Sequence, residues 1–280
     1  MNKTILISGA SSGIGKATAL HLDELGFTVF AGVRKEADGD ALKAVASQRL
    51  TTVFLDVTQT TSIITAVEEV VAATEGNLYS LINNAGLSLN SPLEIIPIDD
   101  IQQLFQVNVI GLLALTQAVL PMIRRSQGRI INISSGHGLL AIPDKSVYAA
   151  SKFAVQAISD SLRIELRPFG VSVANIVVGK VETAVLGKIM ADRERLAATA
   201  PAEVVAIYKP LIEYFDREVK ELPSIPAAEV AQVIETALTV DNPKPQYLVG
   251  PGAKKMKNLA KLPVSLRDKM LYNAIYSSEK

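Results

Sequence analysis

The chain contains no cysteine, which excludes disulfides, thiolate metal ligands and cysteine nucleophiles together. That absence suits oxidising and reducing compartments equally. Histidine is nearly as scarce, with only His21 and His137, so the chain is expected to hold no metal. The 28 lysines and arginines are balanced by 28 aspartates and glutamates, and a net charge of zero gives no general pull towards nucleic acid or acidic partners. The N-terminus passes from Met1-Asn2-Lys3 straight into Thr4-Ile5-Leu6-Ile7 without a cleavage-site pattern; it reads as a first strand and not a signal peptide. No internal repeat, low-complexity tract or Pro/Gly-rich linker interrupts the 280 residues. One domain over 1–280 is the simplest organisation.

One long stretch lacks charge, between Asp100 and Arg124. It carries Gln102, Gln103, Gln106, Asn108, Thr116, Gln117 and Pro121, too polar a set for a lipid-facing span and normal for a helix in a soluble core or at a subunit contact. The protein is therefore expected to be soluble and cytoplasmic.

What the chain does have is hydrophobic residues, 49% of the total, in apolar β-branched runs that alternate with helix-period segments. Strands are expected near Thr4 to Ser8, Thr28 to Val33, Thr52 to Leu55, Ser80 to Asn83, Arg129 to Ser134, Val171 to Val178 and Gln246 to Val249. Helices are expected over Gly13 to Leu25, Ile63 to Ala73, Ile101 to Ile123 and Val147 to Leu166. Alternation of this kind means parallel strands joined by crossover helices. Strands nearly continuous in Val, Ile and Leu are buried on both faces, which makes the fold an α/β doubly wound parallel sheet of about seven strands with helices on both sides.

Two features carry chemistry. The run Ile7-Ser8-Gly9-Ala10-Ser11-Ser12-Gly13-Ile14-Gly15 ends the first strand and opens the first helix, where glycines permit a tight turn and free N–H groups favour an anion such as a pyrophosphate. Its glycine spacing differs from G-x-G-x-x-G. The second feature is Tyr148-Ala149-Ala150-Ser151-Lys152. Residues four apart share a helix face, and an ammonium close to a phenol favours phenolate, bringing a pKa of ~10 towards the working range for proton transfer. By itself that spacing also describes a snorkelling surface pair.

Company decides between the two. Gly9-x-x-x-Gly13-x-Gly15, Asp56, Asn83-Asn84-Ala85-Gly86, Asn108, Ser135, Tyr148-x-x-x-Lys152 and Thr183 recur in order across nearly all of the chain, and together they resemble the short-chain dehydrogenase/reductase family. The resemblance implies a single Rossmann-type domain and an oxidoreductase that interconverts alcohols and carbonyls by hydride transfer. It assigns Tyr148 as the general acid or base, Lys152 as the group that lowers its pKa and binds the nicotinamide ribose, Ser135 and not Ser134 as the substrate-polarising hydroxyl, and Asn108 as part of a water relay to Lys152. It also implies that the turn, with Ser11, Ser12 and Ile14, holds the pyrophosphate, that Asp56 accepts from the adenine amino group with Val57 beside it, that Asn83, Asn84, Ala85 and Gly86 stabilise the central strand and line the adenosine ribose, and that Thr183 and the Val181 backbone bind the carboxamide beside the retained Gly179. Family members usually have proline at the start of this last segment; here it reads Val178-Gly179-Lys180-Val181-Glu182-Thr183, and Lys180 and Glu182 put the local charge pattern in question.

Cofactor choice turns on the end of the second strand, Gly32-Val33-Arg34-Lys35. An acid there would bind ribose hydroxyls and repel a 2′-phosphate, whereas Arg34 attracts it. NADP(H) is expected over NAD(H), with Glu36 close enough to complicate the count. The segment 184–222 is expected to form a mobile apolar lid, and 250–280 a C-terminal extension that looks like the ending of the retinol and hydroxysteroid dehydrogenase branch. That suggests a lipophilic substrate, with small ketones or quinones as the alternative. Residues Lys254 to Lys280 hold seven Lys or Arg against Asp268 and Glu279; a surface helix packed on its own domain is expected over contact with an anionic membrane. His137, two residues after Ser135, is placed to touch substrate or to be merely solvated. Assembly as a homodimer or homotetramer is expected. The rival class is a nonenzymatic NADP-binding redox sensor or scaffold, which would have no need of all four of Asn108, Ser135, Tyr148 and Lys152.

Overall fold

The computed structural model describes residues 3–183 and 185–276. Ala184, where the expected lid begins, and residues 277–280 lie outside the described residues.

Seven parallel strands form the main sheet in the order β3-β2-β1-β4-β5-β6-β9, with β1 at Thr4–Ile7, β2 at Thr28–Val33, β3 at Leu50–Phe54, β4 at Ser80–Asn83, β5 at Arg129–Ser135, β6 at Ser172–Val178 and β9 at Gln246–Val249. A short parallel pair, β7 (Val181–Glu182) and β8 (Ile225–Pro226), stands apart from it. The strands alternate their side chains between two cores, as a pleated sheet requires. Ile5 and Ile7 face α1 (Gly13–Glu24) and α10 (Ala227–Thr239), packing with Ala19, Leu22, Val230 and Ile234. Leu6 and Ile130 face the other way, towards α3 (Thr60–Thr74) and α5 (Leu112–Arg125), packing with Ile63, Val70, Leu115 and Val119. Burial on both faces explains the unbroken apolar runs in the strands. The third strand begins two residues earlier than its pattern implies, because Leu50 supplies buried volume while Phe54 is exposed.

The chain moves outward from β1 to β3, then returns to start the other half at β4. That reversal opens a crevice beyond the C-terminal ends of β1 and β4. The uncharged stretch forms one helical column, Ile98–Arg125, composed of α4 (Ile98–Phe105), a π-helical turn (Gln106–Gly111) and α5. It is long and apolar enough to cross a membrane by length and composition, and half of its most apolar window is buried against the rest of the chain. The π turn places Asn108 beside α6 (Ser146–Glu165). A widened turn inside an α-helix often marks a functional site.

The segment expected to form a lid is helical, with α7 (Val185–Thr199), α8 (Ala202–Ile207) and α9 (Lys209–Glu221). Its two ends are clamped together, since β7 precedes it, β8 follows it, and the two pair directly. Lys180 Nζ donates to the Leu222 carbonyl at 2.9 Å, and Ser224 Oγ donates to Glu182 at 3.1 Å. The two charges that break the family pattern are therefore used at the base of the lid. In the C-terminal extension, α12 (Val264–Tyr276) docks on α9 by burying Ile275 against Leu211 and Phe215.

Candidate active site

The turn after β1 needs its glycines. Gly9 and Gly13 have φ of 67° and 55°, values open to glycine and costly for residues with a Cβ. A Cβ at Gly9 would lie 2.9 Å from the Ala85 Cα, and one at Gly13 would lie 3.1 Å from the Thr183 Cγ2. Ala85 and Thr183 thus line the same turn. Asn84 Nδ2 holds it open from beneath, donating to the carbonyls of Ser8 at 3.0 Å and Gly9 at 2.9 Å. Ser12 precedes α1 without a side-chain cap, so the first-turn N–H groups at Gly13, Ile14 and Gly15 point towards the crevice as an anion would require. The residues fit a dinucleotide pyrophosphate.

The two serines that end β5 face opposite environments. Ser134 accepts from Gln156 Nε2 at 3.2 Å and is turned into the structure. Ser135 accepts from the His137 N–H at 3.2 Å, and its hydroxyl lies on the side of Tyr148. Part of the Tyr148 ring meets solvent, yet its hydroxyl end is enclosed, and that burial pushes the phenol above its ordinary pKa while the nearby Ser135 hydroxyl opposes the rise.

Lys152 is buried beneath the same face. Its Nζ donates to the Ile133 carbonyl at 3.1 Å and lies 5.9 Å from the Tyr148 ring centroid. Burial lowers its pKa to about 8. The expected drop in the phenol pKa is therefore not built into this state of the protein: the ammonium is engaged by a backbone carbonyl, and burial moves both groups towards their neutral forms. Asn108 accepts from the Leu87 N–H at 2.7 Å and donates to the Leu87 carbonyl at 2.9 Å and to Ser151 Oγ at 3.0 Å. These bonds tie the π turn to the loop after β4 and to α6. A Cβ on Gly86 would lie 3.4 Å from Asn108 Oδ1 and 3.7 Å from Lys152 Nζ, so Gly86, Asn108 and Lys152 wall a common space.

The sequence pattern of the short chain dehydrogenase family matches residues 3–194. The chain belongs to that family. It is 35% identical to human retinol dehydrogenase 16 over 98% of this chain and 87% of the relative. It is also 35% identical to a 3-amino-tetrahydro-pyrrolizinone reductase of Xenorhabdus hominickii, over 93% and 91%. A solved short-chain dehydrogenase from Streptomyces avermitilis superposes with a TM-score of 0.78 at 28% identity, covering 99% of this chain and 98% of that one. This short-chain dehydrogenase is an oxidoreductase acting on CH–OH groups.

Other residues expected at the site of this dehydrogenase sort by what holds them. Asp56 uses Oδ1 to accept from the Thr58 N–H at 2.9 Å and the Thr58 hydroxyl at 2.7 Å, leaving its second oxygen for a ligand. Arg34 is exposed at the end of β2 and makes no ion pair among the described residues. Val57 is buried, with its carbonyl and its side chain both packed against Gly111 of the π turn. The Asn83 amide donates to Thr116 Oγ1 and Asn132 Oδ1, both at 2.9 Å, inside the core, which is the strand-stabilising part of its expected role. Gly179 packs under the first turn of α11 (Pro251–Leu259), with a Cβ there 3.2 Å from the Ala253 nitrogen.

Three further features bear on the site. Met256 of α11 covers Gly136, its sulfur 2.6 Å from where a Cβ would lie, so the C-terminal extension reaches the loop after Ser135. His137 stands edge-on to Tyr148 with ring centroids 5.9 Å apart, and burial together with the Lys145 charge lowers its pKa to about 3. It is a neutral ring beside the candidate acid. The third feature is a buried ionic group. Arg193 of α7 pairs with Asp144 at 2.5 Å and with Asp216 of α9, while Lys145 lies 3.7 Å from Asp144. Burial pushes the Asp144 carboxyl up, against the pull of Lys145 and Arg193.

Proposed function

We propose that this protein is an NADP(H)-dependent oxidoreductase that interconverts a lipophilic alcohol and its carbonyl. The observation that carries the reading is the convergence of Ser135, Tyr148 and Lys152: the Ser135 hydroxyl acts on the phenol from the end of β5, Lys152 Nζ lies 5.9 Å from the Tyr148 ring centroid, and Asn108 borders the same space across Gly86. A nicotinamide held beside them would supply or accept the hydride. In the reducing direction, Ser135 donates a hydrogen bond to the carbonyl oxygen, where negative charge develops, and Tyr148 delivers the proton to that oxygen. Lys152, freed from the Ile133 carbonyl, contributes the positive charge that favours phenolate once the proton has gone. The uncapped start of α1 fits the pyrophosphate, and the exposed, unpaired Arg34 fits a 2′-phosphate. Ala85, Gly86, Val181 and Thr183 complete the cofactor side.

The apolar surface around Tyr148 supports a lipophilic substrate: the ring packs in one cluster with Leu89, Ile95, Leu104, Val147 and Leu196. The retinol dehydrogenase relative favours a retinoid- or steroid-like alcohol, whereas the bacterial reductase, at equal identity, favours a bicyclic ketone. A soluble, cytoplasmic location and assembly as a homodimer or homotetramer belong to the same reading. Burial of half the most apolar window of Ile98–Arg125 supports the first, and exposed Ile110, Phe153 and Ile164 support the second.

The test is a panel of retinoid, steroid, aliphatic and bicyclic carbonyls with NADPH and NADH, using wild type and Tyr148→Phe. Turnover should fall at least ~10²-fold in the variant while NADPH binding persists. Retention of more than half the wild-type kcat, or no turnover of any carbonyl by wild type, would overturn the reading.

A further inference from the structure

The lid sequence shows why it should move: polar and apolar residues are mixed, and Gly187, Pro201 and Pro210 weaken or interrupt its helical pattern. The structure shows what stops it. One face of α7 presents Arg193 and, three residues on, Leu196. Leu196 is fully buried in the apolar cluster that contains Tyr148, and Arg193, 6% exposed, is buried beside it.

Arg193 meets three separate parts of the chain. It pairs with Asp144 at 2.5 Å, immediately before α6, and with Asp216 on α9, and its Nε donates to the Asn90 carbonyl at 3.4 Å in the loop after β4. Lys145, adjoining Asp144, lies 5.8 Å from the Phe215 ring centroid on α9. Two cations and two carboxylates thus close a neutral group between the lid and the start of the helix that carries Tyr148 and Lys152. Asp144 sits at φ 69°, a left-handed conformation that aspartate adopts more readily than most residues but that still needs outside support. Arg193 supplies that support through its planar fork, which a lysine cannot copy at two carboxylates at once.

We infer that Arg193 is a positioning residue for the reaction. Hinged at β7 and β8, the lid is latched by Arg193 to Asp144, and the latch sets where Leu196 and its neighbours press against Tyr148. The face of α7 that forms the substrate wall is therefore placed by an ion pair and not by apolar packing alone. This inference rests on the carbonyl-reductase reading for its kinetic consequence and on the structure for the latch itself.

Hydrogen exchange on the full-length protein, with and without NADPH, tests the latch in Arg193→Met, Arg193→Lys and Asp216→Asn. The last variant removes one carboxylate from the more open edge of the group and keeps the experiment decisive if Arg193→Met does not fold. Loss of the latch should speed exchange over residues 188–216 by roughly 10-fold and leave β1 and β5 unchanged, as expected when one cooperative unit opens alone. If the closed lid falls to about a tenth of its population, KM for the lipophilic carbonyl rises about 10-fold, with kcat and NADPH binding nearly constant. Arg193→Lys should restore part of both effects. Unchanged lid exchange in Arg193→Met and Asp216→Asn, or exchange that rises equally in β5, would overturn the latch. A loosened lid with unchanged KM would show that Arg193 is structural only. If wild type turns over no carbonyl, the functional reading fails while the exchange data still decide whether the latch exists.

Discussion

Replacing Lys152 by methionine separates what burial does to this lysine from what it does in catalysis. In the folded protein Nζ has one hydrogen bond, to the Ile133 carbonyl, and burial brings its pKa from 10.5 to about 8. In the unfolded chain it titrates near the ordinary lysine value. Between those two values the unfolded state binds the extra proton, so folding stability rises with pH through that window and the rise is complete above the unfolded pKa. From about pH 7 to about pH 9.5 the gain is about 2 kcal/mol for this one group. Lys152→Met has no proton to lose and should lack the rise. The assay is urea unfolding of both proteins across that range, compared as the difference between their pH profiles, which cancels the contribution of every other titrating group. Wild type should gain on the variant by about 2 kcal/mol. Profiles that stay parallel within about 0.5 kcal/mol would mean that Lys152 is not held mostly neutral and that its charge is already matched inside the fold.

Arg34→Ala should lower kcat/KM for NADPH and leave NADH nearly unchanged, and adding Val33→Asp should turn the preference towards NADH; a wild type that already prefers NADH would refute the role given to Arg34. Because Val33 is 5% exposed, the single Arg34 variant is read first, since the added carboxylate carries a burial cost of its own. Ser135→Ala should cost about 10²-fold in kcat, the scale for an oxyanion donor, whereas Ser134→Ala should leave kcat within a few-fold; equal losses would place both serines in support of the loop. His137→Asn should reduce acid sensitivity. With a folded pKa of about 3 against 6.5, wild type loses stability as pH falls below the unfolded value towards the folded one, by about 3 kcal/mol at about pH 4.5, and urea melts showing no difference between the proteins there would refute it.

The strand pattern was legible because each strand needed apolar residues on both faces, and a local run of Val, Ile and Leu records that directly. Ser8, Asn83 and Asn84 show where this legibility ends. All three lie at strand ends beside the crevice, yet Asn84 braces the glycine turn, Ser8 accepts from the Asn84 and Ala85 N–H groups, and Asn83 is spent inside the core on Thr116 and Asn132. A polar residue at a strand end reads the same in sequence whether it faces solvent, ligand or interior. Lys152 shows the same limit in its energetics: the spacing to Tyr148 places the two on one helix face, while the Ile133 carbonyl that captures the ammonium comes from another strand.

The amino-acid order alone determined the doubly wound sheet, the glycine turn, and the helical spacing of Tyr148 and Lys152, because each depends on residues within a few positions of one another. Tertiary structure decided how burial shifts Tyr148 and Lys152 and how the lid is held. Those outcomes depend on groups brought together across 49 residues between Asp144 and Arg193, or 23 between Arg193 and Asp216. Desolvation and ion pairing are properties of the packed interior, and a buried carboxylate finds its cation only after the helices that carry them have docked.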